Sequence, residues 1–190
     1  MSTVALHACC GPCLLEPLDA LASEHRVTVV YANPNIQPES EYRHRRDVLL
    51  EYAALRGIDV VEVPYDPVLW LSATAGTQDD PAARCRACFA LRLGLVADVA
   101  RERGLDAIAT TLTVSPYQDA ESVREAAENA ASMRGLAYVG RDYRDRYAQA
   151  TVRSRELGMY RQNYCGCLLS KAEADEDRAR RRAERKERRG

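Results

Sequence analysis

The 190-residue sequence lacks any apolar run that approaches the roughly 20 residues of a membrane-spanning helix. It also lacks the basic N-terminal segment of a secretory signal peptide, because a strand-like stretch begins almost at once. The formal net charge is only −1, so the chain as a whole has no electrostatic attraction to nucleic acid. We therefore expect a cytoplasmic protein with one main domain and no membrane association.

Cysteine, by contrast, occurs seven times, in three short groups. The groups are Cys9, Cys10 and Cys13, then Cys85 and Cys88, then Cys165 and Cys167. The reducing cytoplasm disfavours structural disulfides, so clustered cysteines there more often bind metal or perform redox chemistry. Cysteine can also serve as a small buried hydrophobe, but three tight groups flanked by glycine, proline and arginine fit that role poorly. We therefore predict a metal or redox centre.

Strand-like and helical segments alternate along the chain. Strands are predicted over residues 3–7, 26–32, 59–63, 106–112 and 136–139, and helices over 14–24, 40–56, 85–103 and 119–134. This alternation is typical of a parallel α/β sheet flanked by helices. Residues 66–81 are expected to be irregular, and the pattern is weak from Tyr143 until a charged helix or tail begins near Ala172.

Reactive and polar side chains directly follow several predicted strands. Cys9 and Cys10 follow the first strand, Asn33 and Asn35 the second, and Thr113, Ser115 and Tyr117 the fourth. The carboxyl ends of parallel strands meet at one edge of the sheet, where ligands bind in such folds. We therefore expect these side chains to share one crevice, with Cys85 and Cys88 reaching it from the start of their helix.

The cysteine spacing suits a site with four thiolate ligands. Cys85 and Cys88 are three residues apart, which places two thiolates on one face of a helical turn. Two cysteines from the group at 9–13 would complete the set, for either structural zinc or a [4Fe–4S] cluster. Adjacent cysteines are unusual in zinc knuckles, and seven cysteines exceed what one zinc ion needs. The spacing favours iron–sulfur chemistry and leaves zinc as an alternative.

The segment Cys165-Gly166-Cys167 has a different design. Its spacing is too tight for a relaxed disulfide, and a strained disulfide is easily reduced. Glycine permits the sharp turn between the two thiols. A labile dithiol beside an iron–sulfur centre would store two electrons. The alternatives are one additional metal ligand beside a bystander, or two buried thiols.

Five motifs occur in order along the chain: HACCGPC at 7–13, YANPNIQPESEYRHR at 31–45, RCRACFALRL at 84–93, TTLTVSPYQD at 110–119 and YRQNYCGC at 160–167. Together they resemble the cobalamin-independent epoxyqueuosine reductase family, and the resemblance covers nearly the whole chain up to Ser170. It implies reduction of epoxyqueuosine to queuosine at the tRNA wobble position, the final step of queuosine biosynthesis. It further implies a Rossmann-like (HUP-type) fold with a cysteine-bearing irregular C-terminal segment.

The resemblance also assigns roles by motif position. It implies that a [4Fe–4S] cluster is bound by Cys9, Cys10, Cys85 and Cys88, and that the redox-active pair is Cys165 and Cys167. Cys13 is kept as a candidate ligand for an additional mononuclear iron. The implied partners are a tRNA carrying epoxyqueuosine and an unidentified electron donor. Residues 1–170 are expected to form the catalytic domain, and residues 171–190 a charged helix or tail outside the resemblance.

Opening the epoxide requires an acid, and binding the tRNA requires polar side chains. Tyr117 is the candidate catalytic acid, with His7 and Tyr164 as alternatives, although a histidine at a strand end is more commonly a hydrogen-bonded core residue. The candidate substrate-binding residues are Asn33, Asn35, Arg43, Ser115 and Arg161. Arg45 and Arg46 are further candidates for phosphate contacts.

Two other functional classes are compatible with parts of the sequence. A PP-loop-like tRNA sulfur transferase needs a Gly/Ser-rich phosphate loop after the first strand, where this chain has Cys-Cys-Gly-Pro-Cys. A zinc-stabilised RNA-binding module would use the same cysteines without redox chemistry. Iron and sulfide analysis separates these alternatives from a reductase.

Overall fold

A five-stranded parallel sheet forms the centre of the computed structural model, which describes residues 1–188. Its strands are β1 (Thr3–His7), β2 (Arg26–Tyr31), β3 (Asp59–Glu62), β4 (Ala107–Thr110) and β5 (Ala137–Tyr138). The strand order is β3-β2-β1-β4-β5, and every neighbouring pair is parallel. The predicted parallel α/β architecture is therefore confirmed. β1 lies in the middle, so the loops after β2 and β4 flank the loop that carries the first cysteines.

Seven α-helices pack around this sheet within residues 1–188. They are α1 (Gly11–Ala22), α2 (Glu39–Leu55), α3 (Pro67–Ala73), α4 (Pro81–Glu102), α5 (Ala120–Ser132), α6 (Tyr147–Glu156) and α7 (Leu168–Glu187). Aspartates cap three of them, because Asp66, Asp80 and Asp119 accept backbone N–H groups in the first turns of α3, α4 and α5. The Asp80 cap and Pro81 start α4 four residues before its predicted beginning, which places Cys85 and Cys88 inside the helix.

Two helices lie where the sequence indicated irregular structure, so the prediction was wrong for both segments. Helix α3 has only seven residues and is held by the Asp66 cap, Pro67 in its first turn and the buried ring of Trp70. It is too short to show helical periodicity. Helix α6 buries only Ala150 and Ser154, so it lacks the apolar stripe that identifies a helix in a sequence.

The hydrophobic core lies on both faces of the sheet. Successive side chains of β1 point to opposite faces, so Leu6 packs with α1 and α2 whereas Ala5 packs with α4 and α5. On the second face, the packing residues include Phe89 and Leu93. Because both faces of the sheet are covered, the carboxyl ends of the strands are the accessible edge for a site.

The chain between α6 and α7 returns to this edge as an irregular segment, as predicted. The Gln37 amide donates to the carbonyl of Gly166 at 2.9 Å, and the Tyr164 hydroxyl donates to the carbonyl of Gln37 at 2.5 Å. These bonds fix the last cysteine pair against the loop after β2. Helix α7 spans the predicted division at residue 170, and that division stays a prediction.

No helix in residues 1–188 has both the length and the apolar character needed to cross a membrane.

Candidate metal and redox site

The cysteine groups approach the carboxyl edge of the sheet from three parts of the chain. Cys9 and Cys10 connect β1 to α1, and Cys13 lies in the first turn of α1. Cys85 and Cys88 lie in α4, and the last pair directly precedes α7. All seven thiols are free in the structure. Four of them, Cys9, Cys10, Cys88 and Cys167, are buried.

The first group is compact enough to hold a metal. The sulfur atoms of Cys9, Cys10 and Cys13 all lie within 4.8 Å of one another, and those of Cys9 and Cys10 are 3.8 Å apart. Gly11 allows this turn to lie against α2, since a methyl group there would come within 2.8 Å of Val48 Cγ1. The result is a preformed set of three soft ligands.

The three thiols of this group differ in acidity. Hydrogen bonding by Cys10 and Cys13 holds the pKa of the Cys9 thiol well below its usual value. Burial raises the pKa of Cys10, and hydrogen bonding to Cys10 and Cys9 raises that of Cys13. Gln162 Nε2 donates to the sulfur of Cys10 at 2.9 Å. The group therefore favours a cation that can stabilise further thiolates.

The second and third groups adjoin each other. Cys88 and Cys167 pack together against Trp70. Burial, together with the charge of the nearby Cys165, raises the pKa of Cys85 to about 11 and that of Cys88 to about 12. The structure therefore brings the predicted redox pair next to the predicted ligands on α4.

The compact metal-binding group within residues 1–188 consists of Cys9, Cys10 and Cys13. Cys85 and Cys88 lie outside it, next to the last pair. Binding of one cluster by Cys9, Cys10, Cys85 and Cys88 therefore stays a prediction, as does the role of Cys13.

Arg45 lies beneath the last cysteine pair. Its Nη1 donates to the carbonyl of Cys165 at 2.8 Å, its Nη2 donates to that of Tyr164 at 3.2 Å, and its Nε donates to Glu41 at 2.7 Å. The predicted phosphate contact by Arg45 is wrong, because its side chain is only 1% exposed. Arg45 instead anchors the loop that carries the predicted redox pair.

The candidate binding residues Asn33 and Asn35 are both buried at the base of the crevice. Asn33 Nδ2 donates to the Ala8 carbonyl at 2.8 Å, and Asn33 Oδ1 accepts from Arg92 at 2.7 Å. Asn35 packs directly against Gly166. Both amides therefore hold the loops of the site together, and their contact with a nucleotide stays a prediction.

The loop after β4 reaches the cysteines through Gln118, whose Nε2 lies 3.5 Å from the sulfur of Cys165. Tyr117 is 75% exposed, and its amide donates to Ser115 Oγ at 3.3 Å. Tyr117 and Ser115 therefore lie in the same loop as Gln118, which touches the predicted redox pair. Their roles as acid and substrate contact stay predictions.

The other candidates lie in varied surroundings. His7 is buried beside Thr110 Oγ1 at 3.0 Å, and burial lowers its pKa to about 3, which supports the interpretation of a neutral core residue. Arg43 is exposed and forms an ion pair with Glu39 at 2.7 Å. Arg161 donates to Thr151 at 3.1 Å. None of these three contacts tests the proposed roles.

Sequence reasoning did not identify Arg92, Gln118 and Gln162 as site residues. Arg92 follows Cys88 by four residues and Cys85 by seven, which is the spacing of one helix face. Gln118 and Gln162 lie inside two of the five motifs. Their positions were therefore visible in the sequence, but their contacts with sulfur depend on the folding of distant segments.

Comparison with known proteins identifies sequence relatives over most of the chain. A family model described as "Epoxyqueuosine reductase QueH" matches residues 4–173. The curated protein "Epoxyqueuosine reductase QueH" of Thermotoga maritima is 32% identical over 186 residues, which cover 94% of this chain and 95% of that protein. The protein of the same name from Streptococcus pyogenes serotype M1 is 31% identical over 178 residues, which cover 88% and 70% of the two chains.

Two solved structures share the fold at low sequence identity. One is a predicted subunit of tRNA methyltransferase from Methanocaldococcus jannaschii, with a TM-score of 0.54, 12% identity and coverage of 82% of this chain and 76% of that one. The other is the U34-tRNA thiolase NcsA from Methanococcus maripaludis with its [4Fe-4S] cluster, with a TM-score of 0.54, 12% identity and coverage of 92% and 63%. With the parallel sheet, they confirm the predicted Rossmann-like (HUP-type) fold.

Proposed function

Because the chain belongs to the epoxyqueuosine reductase QueH family and is thus an oxidoreductase, we propose that it reduces epoxyqueuosine to queuosine at the tRNA wobble position. This would be the final step of queuosine biosynthesis. The observation that carries the proposal is the convergence of three cysteine groups at one edge of the sheet, inside the matched residues. The family assignment argues against a zinc-stabilised RNA-binding module and against a sulfur transferase.

The residues at this edge fit an iron–sulfur centre. All the candidate metal ligands are thiols. The buried guanidinium of Arg92 beside them has N–H groups that could bond to anionic sulfur. We propose Cys9, Cys10, Cys85 and Cys88 as ligands of a [4Fe–4S] cluster, which when bound supplies single electrons. The sulfur of Cys13 lies within 4.8 Å of those of Cys9 and Cys10, and we propose it as a ligand of an additional mononuclear iron beside the cluster.

We propose that the last cysteine pair supplies the two electrons and two protons that the reaction consumes. Loss of the epoxide oxygen as water consumes two electrons and two protons. Oxidation of the thiols of Cys165 and Cys167 to a disulfide releases the same two electrons and two protons. One dithiol therefore supports one turnover, after which an external electron donor, not yet identified, restores it.

Other side chains position these thiols and the substrate. Gln118 contacts Cys165, and the amide of Ser170 lies 3.3 Å from the sulfur of Cys167, which fixes both thiols in the crevice. We propose that Tyr117 protonates the leaving oxygen, since its exposed hydroxyl can approach a bound nucleotide. The proposed substrate contacts are Asn33, Asn35, Arg43, Ser115 and Arg161. Free thiols of this kind suit a cytoplasmic enzyme.

Anaerobically purified protein tests the cluster. We expect iron and inorganic sulfide, broad visible absorption, and conversion of epoxyqueuosine to queuosine in tRNA, measured by mass spectrometry of digested nucleosides. The Cys85→Ala variant should lose iron and activity, because the cluster needs four thiolates. Cys13→Ser is the matched control and should keep the visible absorption. A Cys85→Ala protein with full iron and sulfide would show that the ligand set is wrong.

The redox pair requires a separate experiment. Cys165→Ser and Cys167→Ser should keep the cluster spectrum and stop multiple turnover, and thiol trapping should find two fewer free thiols in oxidised wild type than in reduced wild type. Loss of iron in either variant would instead identify that cysteine as a ligand of the additional iron. Full multiple turnover in both variants would contradict both accounts.

A further inference from the structure

Three arginines are almost fully buried, and one of them differs in its partners. Arg45, Arg84 and Arg92 are exposed by 1%, 2% and 1%. Arg45 forms an ion pair with Glu41 at 2.7 Å, and Arg84 forms one with Glu173 at 2.6 Å. Within residues 1–188, Arg92 has no carboxylate within ion-pair distance. A buried cation without a counter-charge is strongly unfavourable, so Arg92 requires an anion from another source.

The hydrogen bonds of Arg92 point to the same need. Its Nη2 donates to Asn33 Oδ1 at 2.7 Å. Among the described residues, its Nε and Nη1 are buried and have no hydrogen-bond partner. Two N–H groups of the charged Arg92 side chain are therefore free to donate to an acceptor. In the described part of the chain, no side-chain oxygen accepts them.

The thiols of three cysteines lie near Arg92. Arg92 lies on the same face of α4 as Cys85 and Cys88, two helical turns beyond Cys85 and one turn beyond Cys88. Burial raises the pKa of Cys88 and of Cys165, and the positive charge of Arg92 opposes both shifts. The same charge contributes to the low pKa of Cys9, after the hydrogen bonds from Cys10 and Cys13. Arg92 thus lies near one member of each of the three cysteine groups.

We propose that Arg92 is the counter-charge of the iron–sulfur centre and donates its two free N–H groups to ligating sulfurs. This inference rests on the proposed cluster. A cluster with four thiolates becomes more negative when it accepts an electron, and hydrogen bonds to its sulfurs raise its reduction potential. Arg92 therefore favours the reduced state of the cluster, so the electron donor reduces the cluster more easily. Arg92 is a positioning residue, because it acts through the cluster and does not contact the substrate.

A redox titration of the iron-loaded protein tests this role. Arg92→Gln removes the charge but keeps an amide donor for Asn33. At the midpoint potential of the wild type, we expect its ratio of reduced to oxidised cluster to fall at least tenfold, a shift of 59 mV for a one-electron couple. Arg92→Lys keeps the charge and should recover part of the shift. The control Arg134→Gln removes a charge paired with Asp98 at the surface and should leave the potential unchanged.

Thermal melting supplies a readout that needs no redox chemistry. Arg92→Met replaces the cation with an apolar side chain of similar length. We expect it to lower the melting temperature of the iron-loaded protein and to leave that of the iron-free protein equal or higher, because only the iron-free wild type contains an uncompensated charge. An equal loss in both forms, or an iron-free variant that does not fold, would show that Arg92 acts only through Asn33 and would overturn the inference.

The possible failures are distinguishable. Wild-type protein without iron and sulfide would overturn the proposed cofactor and this inference together. A normal cluster in Arg92→Gln with an unchanged potential would overturn the inference alone and leave the proposed function intact.

Discussion

Gly166 lies between the two cysteines of the last pair and in close contact with the loop after β2. A methyl group on its Cα would come within 2.6 Å of Asn35 Nδ2 and 3.1 Å of Ile36 Cγ1. Its carbonyl accepts the Gln37 amide at 2.9 Å. Gly166 is therefore constrained both by close packing and by the turn between the two cysteines. It sets the distance between the proposed redox pair and the sheet.

Replacement of Gly166 should separate the function of the pair from that of the metal. In Gly166→Ala, the added methyl group displaces the loop of Cys165 and Cys167, so we expect turnover on tRNA to fall at least about tenfold, the effect of an ångström-scale misplacement. Iron content should stay unchanged. The control is Gly94→Ala on α4, where the nearest atom to the new methyl group is 3.6 Å away. Equal activities of the two variants would contradict this account.

The residue scale also shows what sequence reasoning could identify. The cysteines were visible from their spacing, because ligand chemistry restricts residue type and interval. Arg45 was misread, since an arginine four residues after Glu41 on a helix resembles an ordinary surface ion pair. Its burial arises from the return of a segment more than a hundred residues later, with which it bonds at Cys165. Such an interaction has no local signal.

At the scale of elements, α7 has two parts with different surroundings. Its first turns are docked, because Arg84 pairs with Glu173 at 2.6 Å and Arg178 donates to the Asn163 carbonyl at 2.8 Å. Residues 181–188 are all exposed and predominantly basic. In the sequence the basic residues continue to Arg189, which lies outside the described residues. The helix therefore holds positive charge at a fixed distance from the cysteine crevice.

We expect the basic part of α7 to strengthen tRNA binding without contributing to the chemistry. Truncation after Ala174 should weaken binding at low salt and flatten its dependence on salt concentration. Replacing Arg182, Arg185 and Lys186 together by Gln should flatten the slope by about 0.7–0.9 for each phosphate that is no longer neutralised. Arg124→Gln on α5 is a control on another surface. Unchanged affinity and slope in both variants would show that the helix does not bind tRNA.

Elements were predictable where their packing was regular. The five strands were located from apolar runs, because both faces of the sheet are covered. Helices α3 and α6 were missed, since α3 is stabilised by its Asp66 cap and by Trp70, and α6 by packing against α1. Glu16 on α1 is buried and pairs with Arg153 on α6 at 2.6 Å. Neither helix depends on an amphipathic pattern that the sequence could display.

At the scale of the whole molecule, the site joins segments that the sheet alone does not connect. Gln162 contacts Cys10, Gln118 contacts Cys165, and Arg45 bonds to the carbonyl of Cys165. The general fold followed from the alternation of strands and helices. The meeting of α4 with the last cysteine pair did not, because it depends on the path of the irregular segment after α6.

Removal of iron should loosen these segments together. Without a metal, the three cysteine groups are joined by few side-chain bonds, so we expect chelated protein to exchange amide hydrogens faster at residues 8–13, 84–92 and 160–168. The central strands β1 and β4 should stay protected, because the fully buried residues of their two core clusters, as described over residues 1–188, include no cysteine, and Cys85 only packs against one of them. Faster exchange confined to one segment would contradict a shared cluster. Hydrogen–deuterium exchange with mass spectrometry measures this.

The chain contains a single tryptophan, and the fold packs it against Cys88 and Cys167. Trp70 is only 4% exposed, so its environment is set by the protein and not by solvent. Iron–sulfur centres absorb broadly across the emission band of indole, and thiols in contact with the ring also quench it. The tryptophan fluorescence of the unmodified protein therefore reports on one spot, where a proposed ligand of the cluster meets the proposed redox pair. Metal loading and thiol oxidation can thus be timed in solution without a label.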